Sequence, residues 1–214
     1  MGKNEFLFLL QGLKWTAILS VVAFGAGIPS GLAVALARTS EWPWPRRLTA
    51  GYIAVFQGTP LLMQLFVVYY ALALAGLDLE AWEAVALGFT LHASAFLGEI
   101  WRGSIEALPW GQVEAAKALS LGYLARTATV ILPQAIRISL PATIGFLVQL
   151  VKGTSLAAIV GFTELARAGG IVSSQTFKPL LVYAVVGIMY FAICWPLSFY
   201  GTRLEHRFAA ASAR

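Results

Sequence analysis

The chain has 214 residues, 59% of them apolar and only 12% charged, whereas a soluble domain is roughly 45–50% apolar and about 25% charged. Charge at half the ordinary level cannot cover a globule of this size, which excludes a soluble fold and intrinsic disorder alike. The lone cysteine, Cys194, excludes a disulfide framework and a cysteine-based metal centre, and the net charge of +5 reads as loop topology rather than nucleic-acid binding.

Each crossing of a ~30 Å hydrocarbon core takes about 20 residues; uncharged runs place predicted spans at 15–37, 50–75 and 179–202, and apolar pattern with few charges places two more at 82–105 and 138–163. The first run is too long for a signal-peptide core and follows an opening with Glu5 beside Lys3, so it reads as a retained span. The second contains Pro60, which removes an intrahelical hydrogen bond and predicts a kink. The third carries Glu99 and Arg102 near one end, and the fourth carries Lys152. Between them lies a polar segment, 106–137, too long for a structureless loop. Its stretch from Glu114 onward, rich in Ala115, Ala116, Ala118, Leu119 and Leu121, predicts a short helix punctuated by Gly122 and Pro133. The last residues, 209–214, read as a loose tail. Ten of the fifteen Lys and Arg fall on one set of loops, which predicts an outside N-terminus and a cytoplasmic C-terminus by the positive-inside rule. The expected fold is a single all-α integral membrane domain with five transmembrane helices.

Polar groups inside a bilayer are costly and by default face a bundle interior or a water-filled cavity. Gln57 and Gln64 stand seven apart and are predicted to share one face of the second span, with Thr59 between them. Gln149, Lys152 and Ser155 recur every three residues in the fourth span and form a second polar stripe. These six residues are candidates for a solute pathway, the alternative being hydrogen bonds that only hold the bundle together. Glu99 and Arg102 suit a local i,i+3 ion pair. His92 suits a hydrogen-bonded packing role, and Gly27 with Gly31 suits close helix approach. A phosphate-binding loop, an H-E-x-x-H pair, a G-x-S-x-G elbow and a Cys/His cluster are all absent from the sequence. No catalytic residue, metal ligand or cofactor is expected.

The segment containing Glu114, Ala115, Ala116, Ser120 and Gly122, followed by Val130, Leu132 and Pro133, resembles the EAA loop of ABC importer permeases. There Glu-Ala-Ala precedes a Gly by three residues, and Ile-x-Leu-Pro follows after nine. The stretch from Gly58 to Leu65 resembles the Arg-Gly-Thr-Pro-Leu-Leu-x-Gln-Leu of the polar amino acid subfamily. Glu99 to Ile105 and Lys152 to Leu156 are similar to its Glu-Ile-x-Arg-Gly-Gly-Ile and Lys-Asp-Thr-Ser-Leu. Order and separation agree from about Gly12 to the C-terminus. Gln57 stands where the pattern has Arg, Gly153 where it has Asp, and Ser120 where it has Gly.

The resemblance implies a type I ABC importer permease, multi-pass in the bacterial inner membrane and translocating a polar amino acid. Its implied partners are a cytoplasmic ATPase dimer, a second permease subunit (identical or a sister chain) and an extracytoplasmic solute-binding protein. The residues from Glu114 to Leu121 would form the helix that seats on the ATPase, with Glu114, Ala115, Ala116, Leu119, Ser120 and Gly122 as coupling residues. ATP hydrolysis would belong to the partner. An ion-coupled secondary carrier and a non-transporting membrane subunit are the competing readings.

Overall fold

A computed structural model of the chain describes residues 2–212, and it is helical throughout, with no strand among the described residues. Helix α1 runs from Lys3–Arg38, starting well before the predicted span because Leu9 and Gly12 are buried along the same stripe as Thr16, Leu19, Ala23, Gly27, Gly31 and Ala35. At 1.5 Å per residue its 36 residues extend about 54 Å, well beyond the bilayer core. From Leu19 onward that stripe lies against α4, Ala81–Glu106. The two helices meet at glycines: a Cβ on Gly27 would stand 2.7 Å from Ala93 Cβ, and one on Gly98 2.5 Å from Val34 Cγ1. Helix α4 is central, and Phe89, Ala93 and Leu97 on it pack with Leu19 and Ala23 of α1 and with Leu65, Phe146 and Leu150 of two other helices.

The predicted second span is two helices. α2 covers Pro43–Gly58 and α3 covers Leu61–Leu74, bent by 110° at Thr59 and Pro60. Pro60 forces the residue before it away from helical geometry, and Thr59 is extended, at φ −119° and ψ 144°. The expected kink is therefore a full break, and Gln57 and Gln64 share no helix face. Among the described residues four helices are each long and apolar enough to cross a membrane, and a fifth crossing requires this broken pair to act as one span.

Beyond α4 the chain forms α5, Trp110–Ala118, and the single turn α6, Tyr123–Arg126. A widened π-type turn over Thr127–Ile131 leads into α7, Leu132–Gly153. Helix α5 begins and ends earlier than the expected Glu114–Leu121 helix, because Pro109 starts it and Ser120 takes a left-handed conformation, φ 56°, just past its end. Gly122 is extended rather than left-handed, so it does not supply that turn. A 3-10 stretch, Thr154–Val160, closes at left-handed Gly161. It is followed by α8, Leu165–Thr176, which the sequence reading left unassigned, and by α9, Pro179–Ser212. The expected loose tail is thus helical to Ser212, and its last two residues lie outside the described ones. A second cluster, with Leu9, Leu165, Ala168, Val172, Val182 and Val186, ties α1, α8 and α9 together.

Candidate functional site

The break between α2 and α3 is built by one side chain. Gln64, 7% exposed, lies one turn into α3 and donates from Nε2 to the carbonyl of Phe56 (2.7 Å), to that of Thr59 (2.9 Å) and to Thr59 Oγ1 (3.0 Å). Its Oε1 accepts from His92 Nδ1 on α4 at 2.9 Å. Carbonyls freed where α2 unwinds would otherwise be unsatisfied in hydrocarbon, so the amide stabilises the break and anchors it to the central helix. His92 also lies against Phe96 and Phe146. Gln64 and Thr59 border a groove of about 180 Å³ with Val55, Phe56 and Met63, while Gln57 sits exposed at the end of α2.

The second polar stripe ends beside this break. Gly153 packs against the first residue of α3, where a Cβ would stand 3.2 Å from Leu61 Cδ2 and 3.5 Å from the Phe89 ring. Its neighbour Lys152 is exposed in the last turn of α7, a position favourable for a cation, and has no ion-pair partner among the described residues. Gln149 is exposed one turn earlier, and the Ser155 hydroxyl donates to the Lys152 carbonyl at 2.8 Å. Of the six pathway candidates, Thr59 and Gln64 form the break. Gln149 and Lys152 on the last turns of α7 and Ser155 in the 3-10 stretch after it follow one another beside it, and Gln57 stands apart on α2.

At the other end of α4, Arg102 forms a two-pronged pair with Glu99, Nε to Oε2 at 2.8 Å and Nη2 to Oε1 at 2.5 Å, and also binds Glu106. Below it lies α5, with Glu114, Ala115 and Lys117 exposed and Leu119 75% exposed just after its end. The Glu114 carboxylate accepts from Trp110 Nε1 at 2.9 Å. Ala116 is only 3% exposed and turns toward the chain's own interior. It packs under α5, and the residues that this helix presents outward are Glu114, Ala115 and Lys117. Ser120 and Gly122 are exposed in the turn beyond.

Two charged residues are buried, and local composition gives no sign of it. Glu164 is completely buried yet well partnered: its carboxylate accepts from the N–H groups of Ala166 and Arg167, each at 2.8 Å, and from Tyr190 Oη at 2.8 Å. It caps α8 and, with Thr16 nearby, joins α1, α8 and α9. The left-handed Gly161 and an acid followed by helix formers were the available signal. Arg126, at the end of α6, is the other.

An apolar helical bundle with one broken span, a polar flank beside it and a short helix displayed at one end defines a multi-pass membrane transport component. A family model of the binding-protein-dependent transport system inner membrane component matches residues 27–210. Over 209 residues the chain is 34% identical to YckA, a probable amino-acid ABC transporter permease protein of Bacillus subtilis (strain 168), covering 96% of this chain and 91% of that one. It is 32% identical to GlnM of the same organism, a probable glutamine ABC transporter permease protein, with 95% and 94% covered. The crystal structure of an amino acid ABC transporter with histidines superposes with a TM-score of 0.87 at 30% identity, covering 95% of both chains. The methionine ABC transporter MetNI, in inward-facing conformations, shares the fold at 19% identity and a TM-score of 0.75, with 97% and 99% covered. The chain belongs to this family: it is an inner-membrane permease subunit of an ATP-binding-cassette transporter.

Proposed function

We propose that the chain forms half of the translocation path of an importer for a polar amino acid, with Gln57, Thr59, Gln64, Gln149, Lys152 and Ser155 bordering that path. The observation carrying this reading is the α2–α3 break, where Gln64 satisfies unwound backbone beside the exposed polar flank of α7. Irregular backbone at membrane depth is tolerated where it is buried in protein or lines a water-filled cavity. A second permease subunit, identical or a sister chain, completes the path, and a solute-binding protein delivers the amino acid from outside. The chain itself is not an enzyme. A cytoplasmic ATPase dimer seats on α5 through Glu114, Ala115, Leu119 and the turn at Ser120 and Gly122, which puts α5 and the C-terminus inside and the N-terminus outside. The unpaired ammonium of Lys152 is suited to an amino acid carboxylate. The test is uptake into proteoliposomes: accumulation is expected only with ATPase, binding protein and ATP together. Uptake by the lone chain under a proton or sodium gradient would mark a secondary carrier and refute the reading.

A further inference from the structure

Around the α5 end of the bundle, four cations from separate elements border one pocket of about 330 Å³: Arg38 at the end of α1, Arg46 on α2, Lys117 on α5 and Arg126. Two carboxylates also face it. Glu106 is bound by Arg102, and the largely exposed Glu41 stands 3.5 Å from Arg126 Nη2. Arg126 is 8% exposed, and its Nε has no hydrogen-bond partner, nor has Oγ1 of Thr127 beside it. Arg126 also lines the pocket, and the Nη groups of a guanidinium are matched to phosphate oxygens, which accept several such bonds from arginine.

An apolar groove adjoins the pocket. Ile105 lines both this pocket and an adjoining apolar groove of about 390 Å³, walled by Phe24, Ile28, Trp101, Leu140 and Leu147. From Leu132 to Leu147 the groove follows α7 for roughly 22 Å at 1.5 Å per residue, more than a single leaflet's ~15 Å share of the hydrocarbon core. Trp110 and Tyr123, side chains of the kind that settle at the headgroup level, stand at the pocket's edge.

We propose that pocket and groove together bind one anionic phospholipid, its phosphate held by the Arg126 guanidinium with Arg38, Arg46 and Lys117 around it, and an acyl chain laid along α7. A free phosphate compound would use the same donors but would have no use for the apolar groove that opens from them. The lipid would fill the gap beneath α5 and fix that helix against α1 and α4. This inference is independent of the transported solute.

The test uses the complete transporter, extracted in mild detergent and incubated with phosphatidylglycerol or with phosphatidylcholine of the same acyl chains, and retained lipid is read by native mass spectrometry. Preferential retention of phosphatidylglycerol is expected. It should drop roughly fivefold in Arg126→Gln and in Arg46→Gln, with Arg47→Gln, on the same helix but outside the pocket, unchanged. Arg46 is exposed, so its replacement reports on binding even if the buried Arg126 variant fails to fold. Millimolar glycerol phosphate should not displace the lipid. Equal retention of the two lipids, equal loss in Arg47→Gln, or displacement by glycerol phosphate would each overturn the proposal, the last by showing a soluble anion in the pocket.

Discussion

Gln64 illustrates how a residue read as a pathway group can be a structural one as well. Its amide nitrogen serves two carbonyls and a hydroxyl, and its oxygen binds His92. Replacing it by Leu leaves those partners unsatisfied in an apolar surrounding, and an unmade buried hydrogen bond costs about 1–3 kcal/mol. Gln64→Leu should therefore lower both the melting temperature in detergent and transport. Gln57 is exposed and makes no comparable bonds, so Gln57→Leu should melt as the unaltered chain does and, if it borders the path, transport more slowly. Measuring melting and uptake for both variants separates the two roles. Lys152 presents the opposite case. Exposed in the last turn of α7, it has no acidic partner among the described residues, so its ammonium can meet an anion. Lys152→Met should insert and fold normally, yet transport poorly. Wild-type uptake by that variant would leave Lys152 outside the path.

At the scale of helices, close approach decides which glycines matter. Gly25 and Gly27 lie two apart on α1, but a Cβ on Gly25 meets nothing within 4 Å whereas one on Gly27 would meet Ala93 Cβ at 2.7 Å. Gly25→Ala should stabilise by about 0.5–1 kcal/mol through helix propensity. Gly27→Ala should destabilise by roughly 1–3 kcal/mol through overpacking against α4, and thermal melting of the pair checks both signs. The end of α5 gives a second case. Ser120 sits at φ 56°, where a β-branched side chain is strained. Ser120→Val should make the turn after α5 more susceptible to limited proteolysis, at a cost of about 1–2 kcal/mol, while Ser120→Gly should not. The Gly of the resembling pattern at this position thus has a conformational reason, and Ser120 satisfies the turn without it. How far the elements were legible follows the same physics. Long apolar stretches mark α1, α4, α7 and α9 in the sequence, because hydrophobicity over about 20 residues is a strong signal even where one or two charges interrupt it. The 110° break was underestimated because an X-Pro step in an apolar run looks the same whether the helix kinks or separates. Helix α8 was missed because its 12 residues mix Gly, Ser and Arg with few large apolar side chains, and Glu164, which caps it, is stabilised by partners distant in the sequence.

Across the whole molecule, the middle of α4 and the end of α7 meet the break, while the last turns of α4 stand over α5. His92 binds the break and Trp101 reaches Thr143 of α7 at 3.0 Å, while Arg102 ties the last turns of α4 together above α5. Rigid helices linking the break to the displayed helix are the physical means by which movement of α5 would reach the path. The sequence carried the motifs of both ends but not the register of α5. Ala115 and Ala116 are equivalent in composition, and only packing shows that one faces outward and the other inward. The central claim is that ATP-driven motion enters through the exposed face of α5. It is tested most directly by ATP-dependent amino acid uptake into proteoliposomes holding the complete transporter with Ala115→Arg in this chain. The substituted side chain points away from the bundle, so insertion should be normal while uptake falls at least tenfold, the ATPase either dissociating or hydrolysing ATP without transport. Uptake at the unaltered rate would contradict the assignment of α5 as the coupling element.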